Sequence, residues 1–166
     1  TYSAKNLARE LARRGKLPVA ECLQTFIPLC SALDYLHKQK LVHRDLKPSN
    51  IIFVNGVPKL ADIGLVTDIR TRGGETTYVG TEGYIPPEGP GTAVADIFSL
   101  GKVLFFACLG EPPDEFSEKP TRLADGNDPP ELDELRLIIQ KACESDMHQR
   151  YQTAADFHAA LVALQA

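Results

Sequence analysis

Apolar residues recur at helical spacing through most of this 166-residue chain, and strand-like runs stand out clearly at one place. Leu7 and Leu11, set among alanines and charged residues, predict a short helix over about 3–14, closed by Gly15. Val19, Leu23, Phe26, Leu29 or Cys30, Leu33 and Leu36 carry the period through a longer helix over about 18–39. Pro18 suits the first turn of that helix. Pro28 falls inside it, where the missing N–H removes one hydrogen bond and favours a bend. In "IIFVNGVPKLA" two β-prone runs flank Asn55-Gly56, the pair suited to a type I′ turn, so 51–61 predicts a hairpin.

From 62 to 88 the periodicity stops, and "TRGGETTYVGTEGYIPPEG" is rich in Gly, Thr and Pro. A stretch of this length inside a compact domain points to function or mobility. "TAVADIFSLGKVLFFACLG" is then apolar on every face, which predicts a helix buried all round. Asp96 lies within it, and a buried carboxylate is costly unless hydrogen-bonded, so Asp96 is expected to hold backbone groups. Residues 111–130 read as a loop with one short helix, and "ELDELRLIIQKAC" as an amphipathic helix. A last helix starts at Thr153, where "TAAD" resembles a capping box with Asp156 in place of Glu or Gln. The sum is one domain over 1–166, mainly α with a small β-hairpin and room for a sizeable core.

Composition narrows the function classes. At 43% hydrophobic and 24% charged the chain is ordinary for a soluble globular protein, and its net charge of −4 gives no reason to expect nucleic acid as a partner. The cations at Lys5, Arg9, Arg13, Arg14 and Lys16 read as a solvated helix face. Cys22, Cys30, Cys108 and Cys143 have neither metal spacing nor a close-set disulfide pattern, so buried free thiols in a reducing, cytoplasmic setting are expected. No apolar run reaches membrane-spanning length, because Asp96 and Lys102 interrupt the longest, and no membrane contact by this segment is expected.

The candidate chemistry lies in "HRDLKPSN", residues 43–50, and "ADIGL", which places Asp62 just beyond the hairpin. A hairpin that turns at Asn55-Gly56 returns Asp62 towards Asn50. Two hard oxygen donors, few in number, suit a Mg²⁺ that keeps waters and binds substrate phosphates. Asp45 remains to receive a proton from an attacking hydroxyl, and Lys47 to neutralise charge on a transferred phosphoryl group. Phosphoryl transfer, governed by positioning and electrostatics, fits the set. Taken singly, Asp45, Asn50 and Asp62 also read as turn residues, and His43 as a core histidine.

These motifs resemble the eukaryotic-type protein kinase family, whose signature pairs H-R-D-L-x-x-x-N with D-F-G. The "DLKPSN" form is similar to the serine/threonine branch. The resemblance implies Asp45 as catalytic base, Lys47 on the γ-phosphate, Asn50 and Asp62 as magnesium ligands, and Ile52 on the nucleotide side. It also implies that Thr81, in "GTEGYIPPE", helps select a serine or threonine acceptor, and that Asp96 of "DIFSLG" braces the loop. Arg150 is expected to pair with Glu88, and Arg44 makes Thr76 or Thr77 candidate phosphorylation sites. Ile63 replaces the family's Phe, a change expected to retune the active–inactive balance.

The subdivisions implied are a catalytic loop over 43–50, the hairpin over 51–61, an activation segment over 62–88 and a helical subdomain over 92–166. A Gly-rich G-x-G-x-x-G segment and a V-A-I-K-like lysine are absent from these residues, so the expectation is a kinase C-terminal lobe without the β-rich N-terminal lobe. The function implied is transfer of the ATP γ-phosphate to protein Ser/Thr hydroxyls with Mg²⁺, with the isolated 166 residues inactive. The expected partners are a protein substrate and the missing lobe. An apolar patch of Ile51, Ile52 and Phe53 is expected to invite docking or self-association. The alternatives are a pseudokinase-like binding module or scaffold and, against the docking loop and Glu88–Arg150, a small-molecule phosphotransferase.

Overall fold

The computed structural model describes residues 5–61, 67–68, 83–110 and 129–165. The expectations for Asp62, Ile63, Thr76, Thr77 and Thr81, and for a short helix within 111–128, lie outside those residues. The first half runs β1 (Lys5–Asn6), α1 (Leu7–Arg14), α2 (Val19–Lys38), β2 (Leu41–Val42), a 3-10 turn (Pro48–Asn50), β3 (Ile51–Val54) and β4 (Val57–Leu60). After β5 (Thr67–Asp68) come α3 (Ala93–Leu109), α4 (Pro130–Ala142), a second 3-10 turn (Met147–Gln149) and α5 (Ala154–Gln165). The described residues are mainly helical, with small antiparallel sheets.

The first helix starts later than its periodicity predicts. Lys5 and Asn6 form β1, antiparallel to β3, with Lys5 opposite Phe53 and Asn6 opposite Ile52. Asn6 is extended and its side-chain oxygen accepts the Arg9 N–H at 2.9 Å, so it caps α1 instead of joining it. The hairpin thereby becomes a three-stranded sheet of order β1-β3-β4. Its turn is as expected: Asn55 and Gly56 both have positive φ, 53° and 80°, and Val54 stands opposite Val57. A second pair, β2 with β5, was not legible in the sequence pattern.

The expected exposed patch is not formed as foreseen. Ile51 is completely buried, whereas Ile52 and Phe53 are half-buried. Side chains alternate along a strand, so Ile51 and Phe53 share the face that packs on the helical core. The exposed apolar side chains of the hairpin are Val54 and Val57, beside the turn.

The core forms where α5 packs along α2 and α4 against α3. α2 buries Cys22, Phe26, Leu29, Cys30 and Leu33, and α5 brings Phe157 and Leu161. Pro28 and Gln24, whose carbonyl it leaves without a helical partner, both lie on the exposed side of α2, where water can satisfy that carbonyl. α3 is buried along nearly its whole length, as its unbroken apolar sequence predicts. Gly101 permits the close approach of α4: a Cβ there would lie 2.7 Å from Cys143 Sγ and 2.9 Å from Ala142 Cβ. The four cysteines are free and buried, and burial pushes all four thiols up, those of Cys22 and Cys143 to about 12. Thr153 caps α5 by accepting the Asp156 N–H at 3.0 Å.

Part of the basic run around α1 is paired at home. Arg13 donates to Glu10 at 2.8 Å, and Arg14 donates to Glu21 at 2.6 and 2.9 Å. Hydrogen bonds from Arg13 and Arg14 hold Glu10 and Glu21, respectively, below the usual carboxylate range. Among the described residues no helix is long and apolar enough to cross a membrane.

Candidate active site

The loop over 43–50 is strung between two strands, β2 before it and β3 after it. Its backbone conformation is unusual at one point: Arg44 has φ 77°, a left-handed value that costs a non-glycine residue on the order of 1–3 kcal/mol. Two backbone donors hold the turn in place. The His43 N–H donates to Asp96 Oδ2 at 2.8 Å and the Arg44 N–H to Asp96 Oδ1 at 3.0 Å. Asp96 is 2% exposed, at the start of α3. The expectation that this carboxylate holds backbone groups is met, and the groups it holds immediately precede Asp45.

The His43 side chain closes the other side. Its Nδ1 accepts the Asp45 N–H at 3.2 Å, so Nε2 carries the ring proton and donates to the Ala61 carbonyl at 2.7 Å. The Ala61 N–H donates in turn to the Asn50 carbonyl at 2.7 Å. The two ends of the hairpin are thus tied to each other and to the loop, one residue before Asp62 in the sequence. His43 is buried and structural, as read from the sequence.

Three of the expected site residues meet here. Asn50 Nδ2 donates to the Asp45 carbonyl at 2.7 Å and lies 3.4 Å from Asp45 Oδ2. Lys47 Nζ is 3.5 Å from the same Oδ2. Asp45 and Asn50 are each 7% exposed, whereas the Lys47 side chain is 30% exposed. The Asn50 amide nitrogen is committed to Asp45, which leaves its Oδ1 as the atom suited to a cation. Ile52 stands on β3, half-buried, opposite Lys59. Asp62 and Thr81 lie outside the described residues.

Beside Lys47 is a cleft of about 270 Å³ lined by Ala8, Pro48, Ser49, Tyr84 and Phe106. Among the described residues no acidic side chain lines it. Its floor is fixed from α3: Ser99 donates its hydroxyl to the Tyr84 carbonyl. Further along, Glu88 receives Arg150 in a bidentate pair, at 2.5 and 2.8 Å. Arg150 is buried, donates also to the carbonyls of Glu144 and Val94 at 2.7 and 3.2 Å, and lies 4.9 Å from the Phe98 ring centroid. Burial pushes the Glu88 carboxyl up, but the Arg150 hydrogen bonds, its own backbone N–H and the Arg150 charge together hold it below the usual range.

One participant escaped the sequence reading. His37, in the last turn of α2, lies with Nε2 2.9 Å from Asp96 Oδ2. The signal was available, because position 37 extends the buried stripe of Phe26, Cys30 and Leu33 by one turn, where a polar residue calls for a partner.

The protein kinase domain family model matches residues 1–162. Serine/threonine-protein kinase PknB of Mycolicibacterium smegmatis is 31% identical over 168 residues, covering 89% of this chain and 27% of the relative. Serine/threonine-protein kinase PknG of the same organism is 32% identical over 160 residues, 91% of this chain and 20% of the relative. PknG of Mycobacterium leprae is 34% identical over 156 residues, 89% and 19% respectively. The chain therefore spans roughly a quarter or less of the length of these curated relatives. A match that runs through the loop, the hairpin and the helices alike, on top of this geometry, means that the chain belongs to the protein kinase domain family.

Proposed function

We propose that these residues form the catalytic and substrate-binding lobe of a serine/threonine protein kinase, which transfers the γ-phosphate of ATP to a protein hydroxyl. The observation that carries this reading is the gathering of Lys47 and Asn50 on one oxygen of Asp45, 3.5 and 3.4 Å away. Asp45 orients the attacking hydroxyl and accepts its proton. Lys47, the more exposed cation, meets the negative charge of the transferred group. Asn50 offers its amide oxygen to a magnesium ion, with Asp62 as the second protein ligand; bound Mg²⁺ neutralises the phosphate oxygens of ATP. Ile52 belongs to the apolar side of the nucleotide site, and Thr81 to selection of the acceptor.

The cleft lined by Ala8, Pro48, Tyr84 and Phe106 would seat the substrate segment next to the acceptor. The 166 residues contain no glycine-rich phosphate loop and no V-A-I-K-like lysine, so by themselves they provide one side of a nucleotide site. The other side is the family's β-rich lobe, and the setting we propose for both is cytoplasmic.

The test is phosphate transfer from ATP to serine and threonine peptides by a polypeptide that carries these residues together with a nucleotide-covering lobe. Asp45→Asn is expected to lower kcat by about 10²–10⁴-fold while peptide binding persists. Unchanged turnover in that variant, or no transfer by the parent to any peptide with Mg²⁺ present, would overturn the reading.

A further inference from the structure

We infer that the cavity between α1, α2 and the β3–β4 turn is a docking site for an acidic, leucine-bearing peptide segment of a partner protein. The cavity encloses about 610 Å³ and shares no lining residue with the cleft beside Lys47, so the inference stands apart from phosphoryl transfer. Leu17 and Phe53 form its apolar wall, and Lys5, Glu10, Arg14 and Glu21 its charged lining. The turn residues Asn55 and Gly56 line it too, and the side chains flanking them, Val54 and Val57, are 43% and 45% exposed. Apolar surface therefore lies beside the cavity as well as within it. A chain with several side chains can cover both, whereas a compact metabolite cannot.

The charges set the sign of the partner. Glu10 takes Arg13 at 2.8 Å and Lys5 at 3.5 Å, and Glu21 takes Arg14 at 2.6 and 2.9 Å. Both carboxylates are thus committed to arginines of the same chain. Lys5 is the least engaged cation of the lining: its side chain is 69% exposed, and its carboxylate is shared with a closer arginine. Arg9 and Lys16 add exposed positive charge nearby in the sequence, with no ion-pair partner among the described residues. Lys5, Arg9, Arg13, Arg14 and Lys16 face only Glu10 and Glu21 across this stretch, in a chain of net charge −4. Such a face attracts carboxylates. Thr25 gives an independent sign that a polar group enters. It is 7% exposed and lines the cavity, and its hydroxyl has no hydrogen-bond partner among the described residues. A hydroxyl so deep is ordinarily satisfied. A peptide group in the cavity would complete it, with a leucine against the apolar wall and a carboxylate on Lys5.

The experiment titrates three labelled decapeptides, alternating glutamate–leucine, lysine–leucine and glutamate–serine, into the polypeptide that carries these residues together with a nucleotide-covering lobe. Fluorescence anisotropy is expected to show the glutamate–leucine peptide binding about tenfold or more tightly than either of the others. Lys5→Gln is expected to weaken that binding by about fivefold or more at low salt, and by less as salt is raised. Thr25→Val is expected to weaken it by about threefold or more while the thermal midpoint holds or rises, because an unbonded buried hydroxyl is removed. A hydroxyl kept only for the fold would instead lower the midpoint and leave affinity alone. Equal binding of the lysine–leucine peptide, or parent affinity in both variants, overturns the inference. So does capture of a single-stranded oligonucleotide in place of the peptide, or a dimer broken by Val57→Ser with no peptide affinity. Binding is read without phosphate transfer, so this inference and the kinase reading fail separately.

Discussion

Asp45 acquires its setting from neighbours within five residues. Its own N–H is held by His43, its carbonyl by Asn50, and Lys47 approaches its carboxylate. Residues this close in sequence are brought together by local backbone, which is why their association was legible from "HRDLKPSN" alone. The Glu88–Arg150 pair shows the opposite case, with partners 62 positions apart and a guanidinium wholly inside. Removing one member of such a pair strands the other, so Glu88→Ala is expected to cost about 3 kcal/mol in a denaturant melt. The pair also gives a pH dependence of definite sign. Glu88 is held below its unfolded value, so its contribution is present above the ordinary glutamate range and fades as pH falls through the lowered native value. Glu88→Gln should therefore flatten the acid limb of the stability–pH curve, and an unaltered limb would contradict this. The cysteines follow from burial alone: all four should resist alkylation at neutral pH until the protein unfolds, as mass spectrometry of iodoacetamide-treated samples would reveal.

At the level of elements, propensity and tertiary packing divide the outcome between them. The type I′ turn at Asn55-Gly56 is a local decision, since those residues tolerate positive φ where others do not. The all-apolar α3 likewise announces its burial. The start of α1 was not legible, because Lys5 and Asn6 are claimed by β3, a strand more than forty residues away. Two-residue strands such as β1, β2 and β5 carry too few side chains to leave a period in the sequence. The α3–α4 contact depends on a missing side chain at Gly101. Gly101→Ala should improve helix propensity yet destabilise by about 1–3 kcal/mol, because Cys143 and the Ala142 methyl occupy the space. A thermal melt showing a gain would mean that α4 can yield.

For the whole molecule, the helical core works as a platform on which one loop is held under strain. α2, through His37, and α3, through Asp96, reach that loop from the core, while β3 and β4 close it from the sheet side. Such a platform presents the carboxylate of Asp45, the cation of Lys47 and the amide of Asn50, and the cover for a nucleotide belongs to the lobe proposed above. The 166 residues alone are accordingly expected to bind ATP weakly and to transfer phosphate negligibly, for want of contacts and of water exclusion. Metal-dependent phosphorylation by the purified 166-residue chain, abolished by Asp45→Asn, would refute that expectation.

What the sequence determined by itself was whatever depends on near neighbours: helical periods, the hairpin turn, and the grouping of Asp45, Lys47 and Asn50, all set by backbone preferences over a few residues. The spacing of "HRDLKPSN", the hairpin and the helices was also sufficient to mark the family. Only the tertiary structure decided that Ile51 turns inward, that β1 completes the sheet, and that His37 shares Asp96 with the loop. Each of those depends on which surfaces meet across distant parts of the chain, and a burial that two elements create together is written in neither one alone.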